Sequence, residues 1–255
     1  MENRYILTPY FLDEEVPELE NLFQPDWVLN KPPLTSDVKE ERISTLHQSL
    51  ADQVSEALRA GERPVSIAGD CCTAIGVMAG LQHSEFHPFL VWFDAHGDFN
   101  TWDTTPSGFL GGMPLAMIVG RGEQTFVDAV DLKPQDEDQV ILTDGRDLDP
   151  GERESVEESA IHHTPYVLDL LDLPLPEAPL YVHFDVDVLN PEVAPAMSYP
   201  AEGGPSQEEL QEVFWLLSET GRVVAVSMSS WNPDFDADGQ TQTVCMDLLR
   251  VLLGE

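Results

Sequence analysis

The chain has 255 residues, of which 42% are hydrophobic, enough for one large α/β domain or two small ones. It carries 47 acidic and 12 basic side chains, giving a formal charge of −35 that repels phosphate backbones and anionic membranes. This balance argues against nucleic acid and membrane surfaces as partners, and the apolar residues along the whole chain argue against an acidic disordered protein.

The excess of surface carboxylates suits a solution of high salt concentration, where ions screen the repulsion between them. We therefore hypothesise a halophilic source, and we expect the free energy of unfolding to rise between dilute buffer and molar salt. Denaturant unfolding across a salt series measures this effect. Equal stability at both ends of the series would contradict the hypothesis.

The first fifteen residues, MENRYILTPYFLDEE, lack the apolar run of a signal peptide and the arginine-rich pattern of a transit sequence. No stretch of ~18 apolar residues occurs, so no membrane span is expected. Three cysteines, an odd number, do not indicate the disulfide framework of a secreted protein. These features predict a protein of the reducing cytoplasm.

Residues 36–61 have apolar side chains at spacings of three and four, which predicts a helix with Ser36 as its N-cap and Gly61 as its stop. A second helix is predicted over 206–221, where Ser206 and Glu209 have the spacing of a capping box. Residues 241–255 form the third predicted helix.

Short, nearly continuous apolar runs predict strands that are buried on both faces. These runs lie at residues 63–69, 88–94, 138–145, 178–187 and 222–230. A proline-rich and acidic stretch at 171–179 is interpreted as a surface loop. Strands that alternate with helices predict one α/β domain over residues 1–255, with a mainly parallel sheet covered by helices on both faces. Ligands of such sheets bind beyond the carboxyl ends of the strands.

The strand at 88–94 is followed by the sequence DAHGDFN, in which Asp94, His96 and Asp98 alternate. In an extended backbone this spacing sends all three side chains to one side. Two carboxylates and an imidazole at the end of an apolar strand are good metal ligands, because a buried charge without compensation is costly. The alternative is a solvated loop in which the spacing is accidental.

The sequence HFDVDVLNP repeats this pattern with Asp185 and Asp187, whose carboxylates repel each other unless a cation lies between them. Together the two motifs supply four carboxylates and one imidazole, nearly the ligands of two divalent ions, and oxygen-rich ligands with imidazole favour metals such as Mn²⁺. Two ions that share carboxylates can deprotonate a water near neutral pH.

Several sequence blocks together resemble those of the ureohydrolases, the arginase and agmatinase family. In chain order these blocks are GDCCTAIG, DAHGDFN with TTPSGFLGG, DGRDLDPGE, FDVDVLNP and SSWNP. The resemblance implies one arginase-like α/β domain, assembly as a homo-oligomer (a trimer or hexamer), and a binuclear manganese centre. It also implies hydrolysis of a guanidino or amidino group in a small molecule.

The resemblance further implies a role for each residue of the two aspartate motifs. Asp94 and Asp185 would bridge the two metal ions. Asp98 would complete the shell of the first ion and hydrogen-bond the attacking hydroxide, which makes it the expected catalytic residue. His96 and Asp187 would hold the second ion.

Cys71 stands where the family's Gly-Gly-Asp-His block has a histidine that binds the first metal. A thiolate can take that role, but it is softer than imidazole and must lose a proton, which favours Zn²⁺, Fe²⁺ or Co²⁺ over Mn²⁺. A cysteine here also resembles a branch of amidinohydrolases that act on hydroxylated arginine. The alternative for Cys71 is a small buried apolar residue, which is the role we expect for Cys72.

By the same resemblance, Asn100 and Ser107 match positions that hold the α-carboxylate of an amino-acid substrate. Asp149 matches the position that receives its α-amino group. Loop capping is the alternative role for Asn100 and Ser107. Phe109 departs from the family pattern, since an asparagine that also binds the carboxylate is usual there.

Two further departures lie near the position of the reacting carbon. Gly111 replaces a histidine that is thought to move a proton, and Ser230 replaces a glutamate that receives the guanidinium. Loss of that glutamate disfavours ordinary arginine and favours a hydroxylated guanidine, which is less basic. Tyr199 and Trp231 either fill the vacated space or are core aromatics, and for Trp231 we favour the core.

The other histidines have alternative roles that are less specific. His183 precedes Asp185 by two residues on the same strand face, so it either orients that carboxylate from outside the metal shell or is a core residue with satisfied hydrogen bonds. His162 and His163 are expected on the solvated surface.

Together with the two aspartate motifs, the resemblance implies a metal-dependent hydrolase of a guanidino, hydroxyguanidino or amidino C–N bond. The competing hypothesis is a protein of the same fold that has lost catalysis and serves as a binding or regulatory module with a retained metal. Gly111 and Ser230 motivate the second hypothesis, and the complete set of four aspartates with His96 favours the first.

Overall fold

Ten strands form in the computed structural model, which describes residues 1–255. In chain order they are β1 Glu2–Thr8, β2 Tyr10–Phe11, β3 Glu14–Glu15, β4 Val28–Leu29, β5 Glu62–Ala68, β6 Phe89–Asp94, β7 Val140–Asp144, β8 His162–Thr164, β9 Leu180–Asp185 and β10 Val223–Ser229. Eight of them make one parallel sheet in the order β4-β1-β5-β10-β9-β6-β7-β8, and β2 pairs with β3 as an antiparallel ribbon.

Seven α-helices connect and flank these strands. They are α1 Lys39–Arg59, α2 Ala74–His83, α3 Pro114–Ile118, α4 Thr125–Ala129, α5 Pro150–Glu157, α6 Gln207–Glu219 and α7 Gln240–Leu253. No helix combines the length and the apolar character needed to cross a bilayer.

The sheet has a hydrophobic core on each face, because successive side chains of a strand point to opposite sides. On β6, Trp92 belongs to the core beneath α1 and α2, whereas Phe93 belongs to the core beneath α6 and α7. Both rings are fully buried. The expected α/β fold, with a parallel sheet between two layers of helices, is therefore confirmed.

The five strands predicted from apolar runs all form, each within two residues of its predicted bounds. The capping box of α6 forms as predicted: Ser206 accepts a hydrogen bond from the backbone N–H of Glu209, and the Glu209 carboxylate accepts one from that of Ser206. Helices α1 and α6 are followed by Gly61 and Gly221, both with positive φ. The stretch at 171–179 is a loop after a 3₁₀ turn, as predicted.

The expected N-cap of α1 was wrong. Val38 precedes the helix with extended backbone, so the helix begins only at Lys39 and Ser36 lies outside it. The Ser36 hydroxyl instead accepts a hydrogen bond of 3.1 Å from the backbone N–H of Val38. The sequence interpretation also missed β1, which adds an outer strand beside β5. Its first half, ENRY, is polar and only partly buried, and so lacks the continuous apolar run that marked the central strands.

Candidate metal centre

The predicted site residues meet at the carboxyl ends of four adjacent strands, β5, β10, β9 and β6. Asp94 and Asp185 are the last residues of β6 and β9, Cys71 follows β5, and Ser230 follows β10. Parallel strands bring their carboxyl ends to one edge, so residues far apart in the chain line one open pocket.

The predicted route by which His96 and Asp98 reach the site was wrong. Strand β6 ends at Asp94, and the following residues form a loop in which Asp98 has a φ of +50°. A left-handed backbone is uncommon for a residue with a side chain and is concentrated at functional sites. The three side chains therefore reach one pocket through a loop, and not because the backbone stays extended.

The same correction applies to the second motif. Asp185 ends β9, and Asp187 lies in a 3₁₀ turn over Val186–Val188. The Asp185 carboxylate accepts a hydrogen bond of 2.8 Å from the backbone N–H of Asp187, which holds the turn. The two carboxylates still enter the same pocket.

Possible metal-ligand atoms form two groups, in each of which all atoms lie within 4.8 Å of one another. The first group contains Cys71, Asp94, His183 and Asp185, and the second contains Asp94, His96 and Asp187. Asp94 belongs to both groups. Asp98 belongs to neither, although it lines the same pocket.

Cys71 lies directly against the carboxylate of Asp185. Its sulfur is 2.6 Å from Asp185 Oδ2 and 3.1 Å from the hydroxyl of Ser229. Burial, together with the nearby carboxylates of Asp185, Asp98 and Asp94, raises the pKa of the Cys71 thiol well above its usual value. Without a cation the thiol therefore keeps its proton and donates it to Asp185.

The four aspartates of the two motifs are buried with few positive charges near them: Asp94, Asp98, Asp185 and Asp187. Burial and the charge of Asp94 raise the pKa of Asp98, and burial with Asp187 and Asp94 does the same for Asp185. The pKa of Asp187 rises to about 6, through burial and Asp94 against the opposing effect of His96. Asp98 Oδ2 is buried and has no hydrogen-bond partner. Carboxylates in this condition fit divalent cations, which would neutralise their charge.

His96 is the one group in the pocket that can carry a positive charge. Its Nδ1 lies 3.1 Å from Asp187 Oδ2 and 3.4 Å from Asp94 Oδ1. Burial lowers the pKa of His96, but the two carboxylates outweigh that effect and raise it to about 12. An imidazole held between two carboxylates occupies the place where a cation is most favoured.

His183 lies below the floor of the pocket and does not line it. It is completely buried, and burial lowers the pKa of its ring to about 3, so the imidazole is neutral. Its Nδ1 is 2.7 Å from the hydroxyl of Ser227. Neutral imidazole is the form that binds metals.

The predicted substrate positions all line the pocket, with Asn100, Ser107 and Asp149 on loops away from the strand end that precedes Ser230. The Asn100 side-chain amide donates a hydrogen bond of 3.1 Å to Asp149. The Ser107 hydroxyl is exposed and accepts a hydrogen bond from the backbone N–H of Phe109, the loop-capping contact that was its alternative role. Ser230 has a φ of +70°, and its hydroxyl donates to Asp185 at 2.5 Å.

Glu152 is a residue of the pocket that the sequence interpretation missed. Its carboxylate accepts hydrogen bonds from the backbone N–H groups of Phe99 and Asp149, at 2.9 and 3.1 Å, and so ties the loop after β6 to the start of α5. A Cβ at Gly97 would lie 2.6 Å from this carboxylate, so only glycine permits the contact. Glu152 three residues after Asp149 is a capping-box spacing that could have revealed it.

Three aromatic rings surround the pocket mouth: Phe11, Phe109 and Tyr199. The Phe109 ring centroid lies 5.1 Å from that of Tyr199 and 6.2 Å from that of Phe11. A Cβ at Gly111 would lie 2.4 Å from the Phe109 ring, so this ring takes the space of a side chain at 111. Tyr199 is therefore a residue of the mouth, 46% exposed, and not a core aromatic.

The remaining predictions concern residues outside the pocket. Trp231 is buried and donates a hydrogen bond to Asp236, and Cys72 is buried in the core, as expected for both. His162 is exposed, whereas His163 is half-buried on β8 and contacts the backbone carbonyl of Asp144. The expected surface role is therefore confirmed for His162 and wrong for His163, because β8 places the His163 ring against β7.

The sequence of this chain is similar to those of known proteins. The sequence profile of the Arginase family matches residues 26–254 of this chain. The arginase of Bacillus subtilis (strain 168) is 30% identical over 248 residues, which cover 90% of this chain and 83% of that protein. The hepatic arginase of Aquarana catesbeiana is 32% identical over 245 residues, which cover 87% of this chain and 74% of its own.

A crystal structure of arginase from Bacillus subtilis superimposes with a TM-score of 0.83 at 24% identity, over 100% of this chain and 99% of that one. This structural similarity supports the fold. The sequence matches support membership of the family, because they span nearly the whole chain. The resemblance predicted from the short motifs is confirmed at this level. The chain belongs to the Arginase family.

Proposed function

We propose that the protein is a metal-dependent hydrolase of a C–N bond in a guanidino, hydroxyguanidino or amidino group of a small molecule. The observation that carries the proposal is the convergence of four buried aspartates, His96 and Cys71 on one pocket. Membership of the Arginase family supports the same class of reaction. So many buried carboxylates are costly without a cation, which supports a bound metal. Measured hydrolysis distinguishes the enzyme from a binding module that retains the metal.

The pocket residues divide into two ligand sets. Asp94 and Asp185 would be shared, Cys71 and Asp98 would belong to the first ion, and His96 with Asp187 would belong to the second. Two divalent ions held there would lower the pKa of a bound water and neutralise charge that develops on the substrate. We propose Mn²⁺ as the natural metal, with Zn²⁺, Fe²⁺ or Co²⁺ favoured at the first site by the thiolate of Cys71.

Asp98 is the proposed catalytic residue. Its Oδ2 is buried and unpaired at the edge of the pocket, so it can accept a hydrogen bond from the attacking water. With the charge of the neighbouring carboxylates neutralised by the ions, Asp98 would be ionised and able to accept the proton of that water. The unusual backbone conformation at this position aims the carboxylate inward.

The outer pocket supports a substrate with an amino-acid head. Asp149 can accept a hydrogen bond from an α-amino group, while Asn100 and Ser107 can donate to an α-carboxylate. Glu152 fixes the backbone of Asp149 and thereby the distance between head and reacting carbon. No lysine or arginine lines the pocket, so the carboxylate would be held by neutral donors alone.

The inner pocket supports a substrate that is less basic than arginine. Ser230 offers only a hydroxyl where the family resemblance places a carboxylate, and that hydroxyl already donates to Asp185. A guanidinium cation would therefore lack its pairing group, a loss that typically costs several kcal/mol when a buried ion pair is broken. A hydroxyguanidine can be neutral and needs no such partner.

The assay that tests this function compares arginine with N-hydroxyarginine on protein loaded with Mn²⁺ or Zn²⁺. We expect N-hydroxyarginine to have the higher kcat/KM, by about tenfold or more, which corresponds to 1.4 kcal/mol of transition-state binding. A clear preference for arginine would refute the substrate assignment. Fewer than one metal ion per chain after reconstitution, with no hydrolysis of any guanidino compound, would refute the enzyme.

The contact between Gly111 and the Phe109 ring leads to a second prediction, which concerns the reaction rate and the stability of variants at these positions. In a Gly111→His variant the new side chain collides with Phe109, so we expect a loss of ~1–3 kcal/mol in stability from overpacking and no gain in rate. In the double variant Phe109→Asn, Gly111→His the ring is gone, and a histidine able to protonate the leaving group should raise kcat, by about tenfold or more. Steady-state kinetics and denaturant unfolding measure both effects, and a single variant as active as the double would contradict the interpretation.

We also propose a cytoplasmic location and assembly as a trimer or hexamer. The three cysteines are all buried and unpaired, which agrees with a reducing compartment. Light scattering coupled to size-exclusion chromatography measures the number of subunits.

A further inference from the structure

His183 occupies a position in the fold that faces the metal centre from below. It lies two residues before Asp185 on β9, so both side chains point to the same face of the sheet. Neighbouring β6 places Trp92 opposite His183 in the register. The ring therefore lies in the floor of the site, two residues before the Asp185 carboxylate along β9.

The neighbours of His183 fix its ring in one orientation. Nδ1 is 2.7 Å from Ser227 Oγ, which is in turn 2.7 Å from the hydroxyl of Tyr181. The Trp92 ring stacks on the imidazole, with centroids 3.7 Å apart. A metal-binding histidine is typically held in this way, with one ring nitrogen on a partner outside the shell and the other directed at the ion.

The other ring nitrogen, Nε2, faces the first group of ligand atoms. It lies 3.4 Å from Ser229 Oγ, which itself is 3.1 Å from the sulfur of Cys71. The ligand atoms of Cys71, Asp94, His183 and Asp185 all lie within 4.8 Å of one another, and all four residues are buried. Bonds of ~2.0–2.3 Å would place such atoms about 3.3–3.8 Å apart around a tetrahedral ion, so small side-chain movements complete the shell.

We propose that His183 is a direct ligand of the first metal ion, through Nε2, and supplies the imidazole that position 71 lacks. This inference rests on the metal centre of the proposed function and changes its composition. The first ion has sulfur, nitrogen and two carboxylate ligands, from Cys71, His183, Asp94 and Asp185. This donor set suits Zn²⁺ or Co²⁺ better than Mn²⁺, and it leaves Asp98 free for the attacking water.

The test is a structure of the zinc-loaded protein together with X-ray absorption of the cobalt-loaded protein. We expect His183 Nε2 at ~2.0–2.1 Å from an ion, the usual Zn–N distance. With two ions per chain, the imidazole count per cobalt should fall by half in a His183→Gln variant. An ion bound by Cys71 and the aspartates with Nε2 beyond bonding distance would overturn the inference.

His47→Gln is the matched control, because His47 is equally buried but lies on α1 away from the pocket. It should keep the imidazole count of the parent protein. Competition with a chelator adds a second measure: His183→Gln should weaken binding of the first ion by more than ~100-fold, whereas loss of a partner outside the shell costs ~10–100-fold. A folded His183→Gln protein that binds two cobalt ions per chain with an unchanged imidazole count would also overturn the inference.

The wild-type zinc structure keeps the inference testable if His183→Gln fails to fold. It also separates this inference from the proposed function. Ions held by His96 and the aspartates without His183 contradict the inference alone. A protein that takes up no metal contradicts the proposed function as well.

Discussion

An Asp185→Asn variant is expected to lose its first metal ion, and its hydrolytic activity is expected to fall by more than ~100-fold. Loss of a residue that only hydrogen-bonds a metal ligand typically costs less, ~10–100-fold. Asp185 is in direct contact with Cys71 and Ser230 and lies in the middle of the first ligand group. An amide has the shape of the carboxylate without its charge, so the variant removes the electrostatic attraction for a cation and little of the packing.

The same variant is expected to be more stable than the parent protein when both are free of metal. Burial and the charges of Asp187 and Asp94 make an ionised carboxylate at 185 unfavourable, which is why its pKa is raised. Asparagine removes this repulsion at neutral pH. Activity assays, metal analysis and denaturant unfolding of the metal-free proteins measure the three effects.

Asp147→Asn is the matched control for this variant. Asp147 also lines the pocket, but it is exposed and belongs to neither ligand group. It should keep its metal and show no change in metal-free stability beyond ~0.5 kcal/mol, as is usual for a surface substitution. An Asp185→Asn protein with full metal content and parent activity would contradict the proposed centre.

Removal of metal is expected to reverse the pH dependence of stability between pH 6.5 and pH 8. In the metal-free protein, burial and neighbouring carboxylates hold the pKa of Asp98 and Asp185 above their ordinary values, and burial raises that of Glu152 to about 7. The unfolded chain releases these protons at lower pH than the folded protein does. Its free energy therefore falls relative to the folded state as pH rises, and stability decreases.

The lower limit of this window is set by two buried histidines. Burial lowers the pKa of His47 to about 4 and that of His183 to about 3, so both act in the opposite direction while the unfolded chain still titrates them. Above pH 6.5 these rings are largely neutral in both states and their effect ends. His96, whose pKa is raised to about 12, acts in the same direction as the carboxylates.

The metal-loaded protein should behave in the opposite way. Ligands must lose their protons to bind an ion, so metal affinity increases with pH. Binding that is confined to the folded state stabilises it by about 4 kcal/mol when the free metal is 1,000 times its dissociation constant. Thermal or denaturant unfolding at several pH values, with zinc and with a chelator, measures both slopes. Slopes of the same sign with and without metal would contradict the arrangement of ligands.

The central strands and the acidic motifs that line the pocket were readable from sequence because both depend on local patterns. Continuous apolar runs marked the five predicted strands, and pairs of carboxylates directly after β6 and β9 made no sense as core residues. The outer strand β1 was missed because its polar first half lacks such a run. The same reasoning found Asp98 but assigned it the wrong backbone.

The sequence by itself determined the α/β class, the family and the acidic metal-binding character, since these follow from periodicity, charge and residue spacing along the chain. Only the tertiary structure determined which possible metal ligands lie close to one another. The sheet order placed β9 and β10 between β5 and β6, and so brought His183 beneath Cys71. Contacts between strands distant in sequence depend on the order in which the sheet assembles, and no local spacing encodes that order.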